Sequence, residues 1–275
     1  MAELTWNRYG KSSVRLVKIR RAAEPHEIVD LTIDVALEGV FDKVYTDGDN
    51  SACLATDTMK NTVYAFARAD PIDHVEAFAS KLVEYFSEKP GVSLVRVQAA
   101  EHPWSRLHAH AFARAGEEEW TTTVTWHDDK TSVTSGLRGL VVLKTTDSAF
   151  SGFPRDQYTT LPETRDRILA TSITAAWTYA DGFAEFGKRA AVRAALLDAF
   201  AVKSESVQQT LYAMGEAALA ACDGVVDIEL SLPNRHHLLV DLRPFGLDNP
   251  NEIFVATEQP YGLIEARITR SRPAE

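Results

Sequence analysis

The chain has 275 residues, 45% of them hydrophobic and 25% charged, with a formal net charge of -10 and a pI near 5.3. That apolar content is enough to fill one large core or two ordinary ones and excludes disorder, while the acidic balance argues against a dedicated nucleic-acid binder, which needs a basic face to neutralise phosphates. Cys53 and Cys222 have no metal-ligand or redox spacing, no apolar run reaches the length that spans a bilayer, and neither a signal segment at the start nor a peroxisomal address at residues 271–275 is evident, so a reduced, cytoplasmic protein is expected.

In chain order, residues 9 to 20 alternate as a strand, with Val14 and Leu16 set against Arg15, Lys18 and Arg20. The Gly10-Lys11-Ser12 that opens it invites a phosphate-loop reading, but that motif needs a glycine where this chain has Thr5. From Glu27 to Leu37 the alternation is clean, with Val29, Leu31, Ile33, Val35 and Leu37 on one face and Asp30, Thr32, Asp34 and Ala36 on the other, as in a half-buried antiparallel strand. Next comes a helix entered at Ala55-Thr56-Asp57, where Thr56 or Asp57 can cap free amides and Met59, Val63 and Phe66 start an apolar stripe. Pro71 is placed at the first position of a second helix that runs until Lys89-Pro90-Gly91. Strands are expected at Val92 to Gln98, around His108 to Arg114, and at Glu118 to Trp126.

The second half repeats this order. Leu140 to Leu143 and Ile173 to Tyr179 read as strands, Lys188 to Ala201 and Ser206 to Ala221 as helices, and Val225 to Leu232, His236 to Leu242 and Ile253 to Thr257 as strands. Two similar α+β units follow from the shared order, 1–135 and 136–275, each with helices gathered on one face of an antiparallel sheet. Between Lys144 and Ile168 lies a long polar connection carrying Phe150, Phe153 and Tyr158, of a length that usually serves function.

Four stretches are candidates for chemistry: Gly10-Lys11-Ser12, Thr56-Asp57, the long connection ending in Arg165-Asp166-Arg167, and the segment from Ser231 to His236. Each taken alone also reads blandly, as a solvated lysine, a helix cap, a surface arginine in an ion pair and a turn. His108 and His110 on one strand face, with His102 and His236, suggest a zinc set, although no third ligand has diagnostic local spacing. No dinucleotide fingerprint and no serine-nucleophile elbow occurs.

Taken together, six segments resemble the urate oxidase (uricase) family. They are Tyr9 to Arg15, Ala55 to Tyr64, Gly136 to Lys144, Phe150 to Ile168, Ser206 to Tyr212 and Ser231 to His236, in the family's order and spread over nearly the whole chain. The resemblance implies an α+β chain of tandem tunnelling-fold units whose sheets close into β-barrels in a homotetramer, with active sites between subunits. It also implies oxidation of urate by O₂ and water to 5-hydroxyisourate and hydrogen peroxide with no metal, flavin or other cofactor.

Carried over by position, Arg167 grips the urate anion, Gln208 meets the opposite edge, Phe150 stacks on the purine, and Val207 presents its backbone beside Gln208. The Asp57 amide reaches the five-membered ring from the adjacent subunit. Lys11, Thr56 and His236 correspond to a proton relay, and Asn234 with Thr56 marks the oxygen or water site above the purine. Ser151 departs from relatives that carry a tryptophan there. Two other readings stay open: a zinc-dependent pterin or purine-ring enzyme of the same fold, and a non-catalytic purine-binding oligomer.

Overall fold

A computed structural model describes residues 2–22 and 24–271. Met1 and residues 272–275, on which part of the targeting expectation rests, lie outside the described residues. The chain divides into two compact units, Met1–Leu137 with Trp177–Gly187, and Arg138–Ala176 with Lys188–Glu275.

In the first unit, β1 (Tyr9–Arg20) and β2 (Glu27–Gly39) are followed by a short helix α1 (Asp42–Thr46), then α2 (Thr56–Ala69) and α3 (Val75–Ser87). After them come β3 (Val92–Glu101), a small hairpin of β4 (Trp104–His108) and β5 (Ala111–Arg114), β6 (Glu119–His127) and the opening of β7 (Lys130–Lys144). The sheet runs β1-β2-β3-β6-β7, and the β1–β2, β2–β3 and β3–β6 ladders are antiparallel. The period-two pattern of β2 decides its orientation: Leu31, Ile33, Val35 and Leu37 are buried, and they pack in one core with Met59 and Val63 of α2 and Phe78, Leu82 and Phe86 of α3. Each such side chain contributes about 1.5–3 kcal/mol on burial, so the helices are held by their apolar stripes far more than by helix propensity.

The opposite face of β2 departs from the solvent-facing polar row expected of it. Asp30 is 2% exposed, beneath Trp104 of the β4–β5 hairpin, whose indole Nε1–H donates to it at 2.8 Å. Arg15 forms an ion pair with the same carboxylate. Burial alone would push the Asp30 carboxyl up, but these partners more than offset it and hold it below the usual carboxylate range.

Two local expectations need correction. Pro71 does not begin α3, which starts at Val75; Asp70 accepts the Ile72 amide at 2.6 Å, and Ile72 sits at φ 55, so the chain turns before the helix. Neither Thr56 nor Asp57 caps α2. Ala55 occupies the cap position with no side-chain hydrogen bond, because Asp57 turns along the helix to Lys60 and to Asn61 Nδ2 at 2.9 Å. The far end of α2 is closed by Lys18, whose ammonium donates to the Ala67 and Asp70 carbonyls at 2.7 and 2.6 Å.

The second unit takes up the end of β7, then β8 (Leu169–Tyr179), α4 (Arg189–Ala201), α5 (Val207–Ala221), β9 (Val225–Arg235), a short hairpin of β10 (His237–Leu239) and β11 (Phe254–Ala256), and β12 (Gly262–Thr269). Its strand order is β7-β8-β9-β12. Leu211, Met214 and Ala218 of α5 are buried, as are Ile228, Leu230 and Leu232 of β9. Gly215 lets α5 approach β12: a Cβ there would lie 2.7 Å from Ile268 Cδ1. The strand expected at His236 to Leu242 is only His237–Leu239, because Asn249 Nδ2 closes the following loop on the Val240 and Ile253 carbonyls at 2.9 and 2.8 Å. β12 was not anticipated from the sequence.

Candidate active site

In the first unit, Lys11, Thr56 and Asp57 are brought together by β1 and the start of α2. Gly10 allows this. A Cβ at that position would stand 1.9 Å from the Val35 carbonyl oxygen, so the glycine of Gly-Lys-Ser serves close strand approach and not a phosphate loop. A bulge between Lys11 and Val14 follows, with Ser13 at φ 58 and its amide donating to Asp34 Oδ1 at 2.5 Å, which re-aims the strand just after Lys11. Tyr9, two residues earlier, accepts the Leu54 amide on its phenol oxygen at 2.9 Å and so ties β1 to the entrance of α2. Burial, aided by Cys53, pushes the Tyr9 phenol up to about 12, so it stays a neutral hydrogen-bonding post.

Thr56 is the first residue of α2, partly buried, at a helix mouth without a side-chain cap. First-turn amides left uncapped at the positive end of a helix suit an anion or a polar ring edge. Asp57 is exposed; its bond to Lys60, with a smaller contribution from Lys11, lowers its carboxyl pKa and keeps it ionised.

In the second unit, a cavity of about 740 Å³ is lined by Phe150, Arg167, Asn234 and His236. Four residues carried over from distant segments thus share one wall system. Phe150 is held by an antiparallel pair with Thr164, its amide donating to the Thr164 carbonyl at 2.8 Å and the Thr164 amide returning at 3.0 Å. One aromatic neighbour is Phe153, stacked with ring centroids 4.9 Å apart, and the Arg167 guanidinium carbon lies 5.4 Å from the Phe150 centroid.

Among the described residues Arg167 has no ion pair, and its Nε is buried without a hydrogen-bond partner. Burial alone lowers its pKa, yet a guanidinium still remains charged at neutral pH. A half-buried cation with an unused donor suits this cavity to an anionic or acceptor-bearing ligand.

Asn234 is buried near the end of β9, opposite Gly262 in the ladder with β12. His236 follows β9, and its carbonyl accepts the Thr257 amide at 2.9 Å, which fixes its backbone at the cavity.

Val207 and Gln208 open α5 and do not line this cavity; Val207 is buried and Gln208 exposed. Their position is set by Ser206, the cap, whose Oγ accepts the Gln209 amide at 3.1 Å, while Gln209 Oε1 accepts the Glu205 amide at 2.7 Å. Of the proposed zinc histidines, His102 is engaged by Thr32 Oγ1 at 2.8 Å and pairs with Glu119, and His108 and His110 stand edge to face with centroids 5.4 Å apart. Among the described residues no three His, Cys, Asp or Glu side chains gather as a metal set. Asp166, Thr164, His237, Asn251 and Glu252 also line the cavity; Thr164 and Asp166 fall inside the matched segment from Phe150 to Ile168, whereas His237, Asn251 and Glu252 lie outside the matched segments.

A family model described as Uricase matches residues 7–125 and 133–265. Uricase from Arthrobacter globiformis is 48% identical over 269 residues, covering 96% of this chain and 89% of that protein. Uricase from Dictyostelium discoideum is 37% identical over 283 residues, covering 98% and 99%. The crystal structure of the Arthrobacter globiformis uricase superposes with a TM-score of 0.95 at 47% identity, covering 100% of this chain and 98% of that one. A uricase from Bacillus fastidious, at 24% identity, shares the fold with a TM-score of 0.81 and coverage of 98% and 94%. The architecture is therefore α+β with tandem tunnelling-fold units, and the chain belongs to the uricase family.

Proposed function

We propose that this chain is a urate oxidase that converts urate, O₂ and water to 5-hydroxyisourate and hydrogen peroxide without a cofactor. The observation that carries the reading is Arg167, a half-buried guanidinium whose Nε has no partner among the described residues, in a cavity shared with Phe150, Asn234 and His236. A planar fork of this kind matches a planar anion, and Phe150 supplies an aromatic face for the purine. Gln208 and the backbone of Val207, on the first turn of α5, meet the far edge of the ring.

Two tunnelling-fold units, 1–135 and 136–275, assemble as a homotetramer in this reading. Support comes from β1, which among the described residues pairs with β2 on one edge alone and exposes Val17 and Ile19, and from Leu238, Leu239 and Val255 exposed on the β10–β11 hairpin. Long open edges and apolar side chains of this kind suit pairing with further copies. The active site then combines the second unit's cavity in one subunit with Lys11, Thr56 and Asp57 of a neighbour. Both cysteines are free, in keeping with a cytoplasmic protein.

Chemically, the protein's task is proton removal and placement. Urate that has lost protons is electron-rich enough to give single electrons to O₂. Two electrons leave the purine, water supplies the hydroxyl that ends on it, and O₂ leaves as hydrogen peroxide. Lys11 polarises the Thr56 hydroxyl, which relays protons with His236, while Asn234 and Thr56 hold oxygen or water over the ring.

The test is direct. Purified, metal-free protein is mixed with urate, and the near-ultraviolet absorbance, O₂ and peroxide are followed together. Equimolar loss of urate and O₂ with formation of peroxide is expected; a folded oligomer that binds urate and forms no peroxide would reject the catalytic reading.

A further inference from the structure

We infer that Asp166 is a positioning residue for the anion grip, acting through Arg167 and the first turn of α5; this rests on the urate-binding role proposed for Arg167. Asp166 Oδ1 accepts the Asp147 amide at 2.8 Å, and Thr146 Oγ1 lies 3.0 and 2.9 Å from its two carboxylate oxygens. The Asp166 carbonyl accepts the Thr164 hydroxyl at 2.7 Å. These bonds draw the first residues of the long connection, just after β7, against its last ones, just before β8.

The clasp reaches two further parts of the site. Asp147, held at φ 61, accepts the Ser204 amide on its carbonyl at 3.0 Å, and the Ala149 amide donates to the Ser204 carbonyl at 2.9 Å. Ser204 stands two residues ahead of Ser206, the cap of α5, and its hydroxyl accepts from Thr210 Oγ1 at 2.7 Å. Ala149 leads directly into Phe150. One carboxylate therefore sets the arm that carries Phe150, the bridge that locates Val207 and Gln208, and the chain direction at Arg167.

The chemistry also explains why a carboxylate beside an anion-binding arginine does no harm. Its oxygens are turned to Thr146 and Asp147, and among the described residues Arg167 keeps no ion pair. An acid paired with Arg167 would compete with the substrate anion, whereas an acid spent on the loop base preorganises the guanidinium.

Asp166→Ala, Asp166→Asn and the double variant Asp166→Ala with Arg167→Ala are compared with the full-length protein by steady-state urate oxidation and by binding of xanthine, a related purine dione. Asp166→Ala is expected to lower kcat/KM about thirtyfold, within the on-the-order-of-hundredfold cost of a small misplacement, and to weaken xanthine binding in parallel. Asp166→Asn, which keeps an acceptor for the Asp147 amide, is expected to lie within about fivefold of the parent. In the Arg167→Ala background, removal of Asp166 is expected to add less than about threefold, the non-additivity of a residue that acts through another.

Full retention of kcat/KM and xanthine affinity in Asp166→Ala, or a full additive loss in the double variant, overturns the inference. An Asn variant as impaired as the Ala variant does the same. If Asp166→Ala fails to fold by its melting profile, Asp166→Asn and Thr146→Val carry the test, with Thr146→Val expected to weaken xanthine binding a few-fold. Should the parent oxidise no urate, the proposed function fails on its own, and the xanthine comparison still decides the role of Asp166.

Discussion

Replacing Arg167 with methionine keeps much of the stem volume and removes the charged fork, and it should separate function from stability in opposite directions. Each charge-assisted hydrogen bond from a guanidinium is worth about 1.5–3 kcal/mol, so a two-bond grip on urate contributes about 3–6 kcal/mol. At about 1.4 kcal/mol per factor of ten, Arg167→Met should lower kcat/KM by on the order of 10²–10⁴-fold. In the free protein the same guanidinium has a buried Nε without a partner among the described residues, and burial lowers its pKa. That is a cost of about 1 kcal/mol once its partial exposure is allowed for, so the melting temperature of the ligand-free variant should hold or rise by about 2 °C. Urate turnover and thermal unfolding without ligand give both numbers. A variant that melts several degrees lower and retains its kcat/KM would refute the reasoning, because Arg167 would then be a structural cation.

Thr56→Val keeps the β-branched shape at the mouth of α2 and removes the hydroxyl; kcat should fall by about 10²-fold or more with xanthine affinity changed only a few-fold, measured by turnover and direct binding. Gly10→Ala drives a Cβ into the Val35 carbonyl, 1.9 Å away, and should cost about 3 kcal/mol in denaturant unfolding while displacing Lys11 and depressing turnover. Asp30 lies below its ordinary value of 3.8 in the folded chain, so its contribution to stability is present above that pH and is lost as pH falls through the folded value. Asp30→Asn should therefore destabilise the protein at pH 7 by about 1–3 kcal/mol, discounted for the half-exposed Arg15 partner, and flatten the loss of stability on acidification below about pH 4; an unchanged acid slope in urea unfolding would reject the assignment.

Local patterning was legible wherever one face of an element meets a core. The alternation of β2 and the helical spacing of α3 report burial directly, since a strand repeats every two residues and a helix every 3.6. Boundaries set by competing side chains were not: Asp70 taking the Ile72 amide moved the start of α3 from Pro71 to Val75, and Lys60 with Asn61 drew Asp57 away from the cap. The strand β12 does alternate Ile264, Ala266 and Ile268 with Glu265, Arg267 and Thr269, but only Ile268 is buried, and its pairing with β9 is fixed by a ladder between segments far apart in sequence.

The sequence by itself determined the fold class, the repeated order of strands and helices, and, through six matched segments, the family and the residue types available for chemistry. Tertiary structure alone decided that Phe150, Arg167, Asn234 and His236 line one cavity, that among the described residues Arg167 is left without a counter-ion, that Gly10 serves strand approach, and that Asp166 is spent on Thr146 and Asp147. The reason is physical: periodicity records which residues face a core, whereas the partner a charged side chain takes depends on distances between segments far apart along the chain.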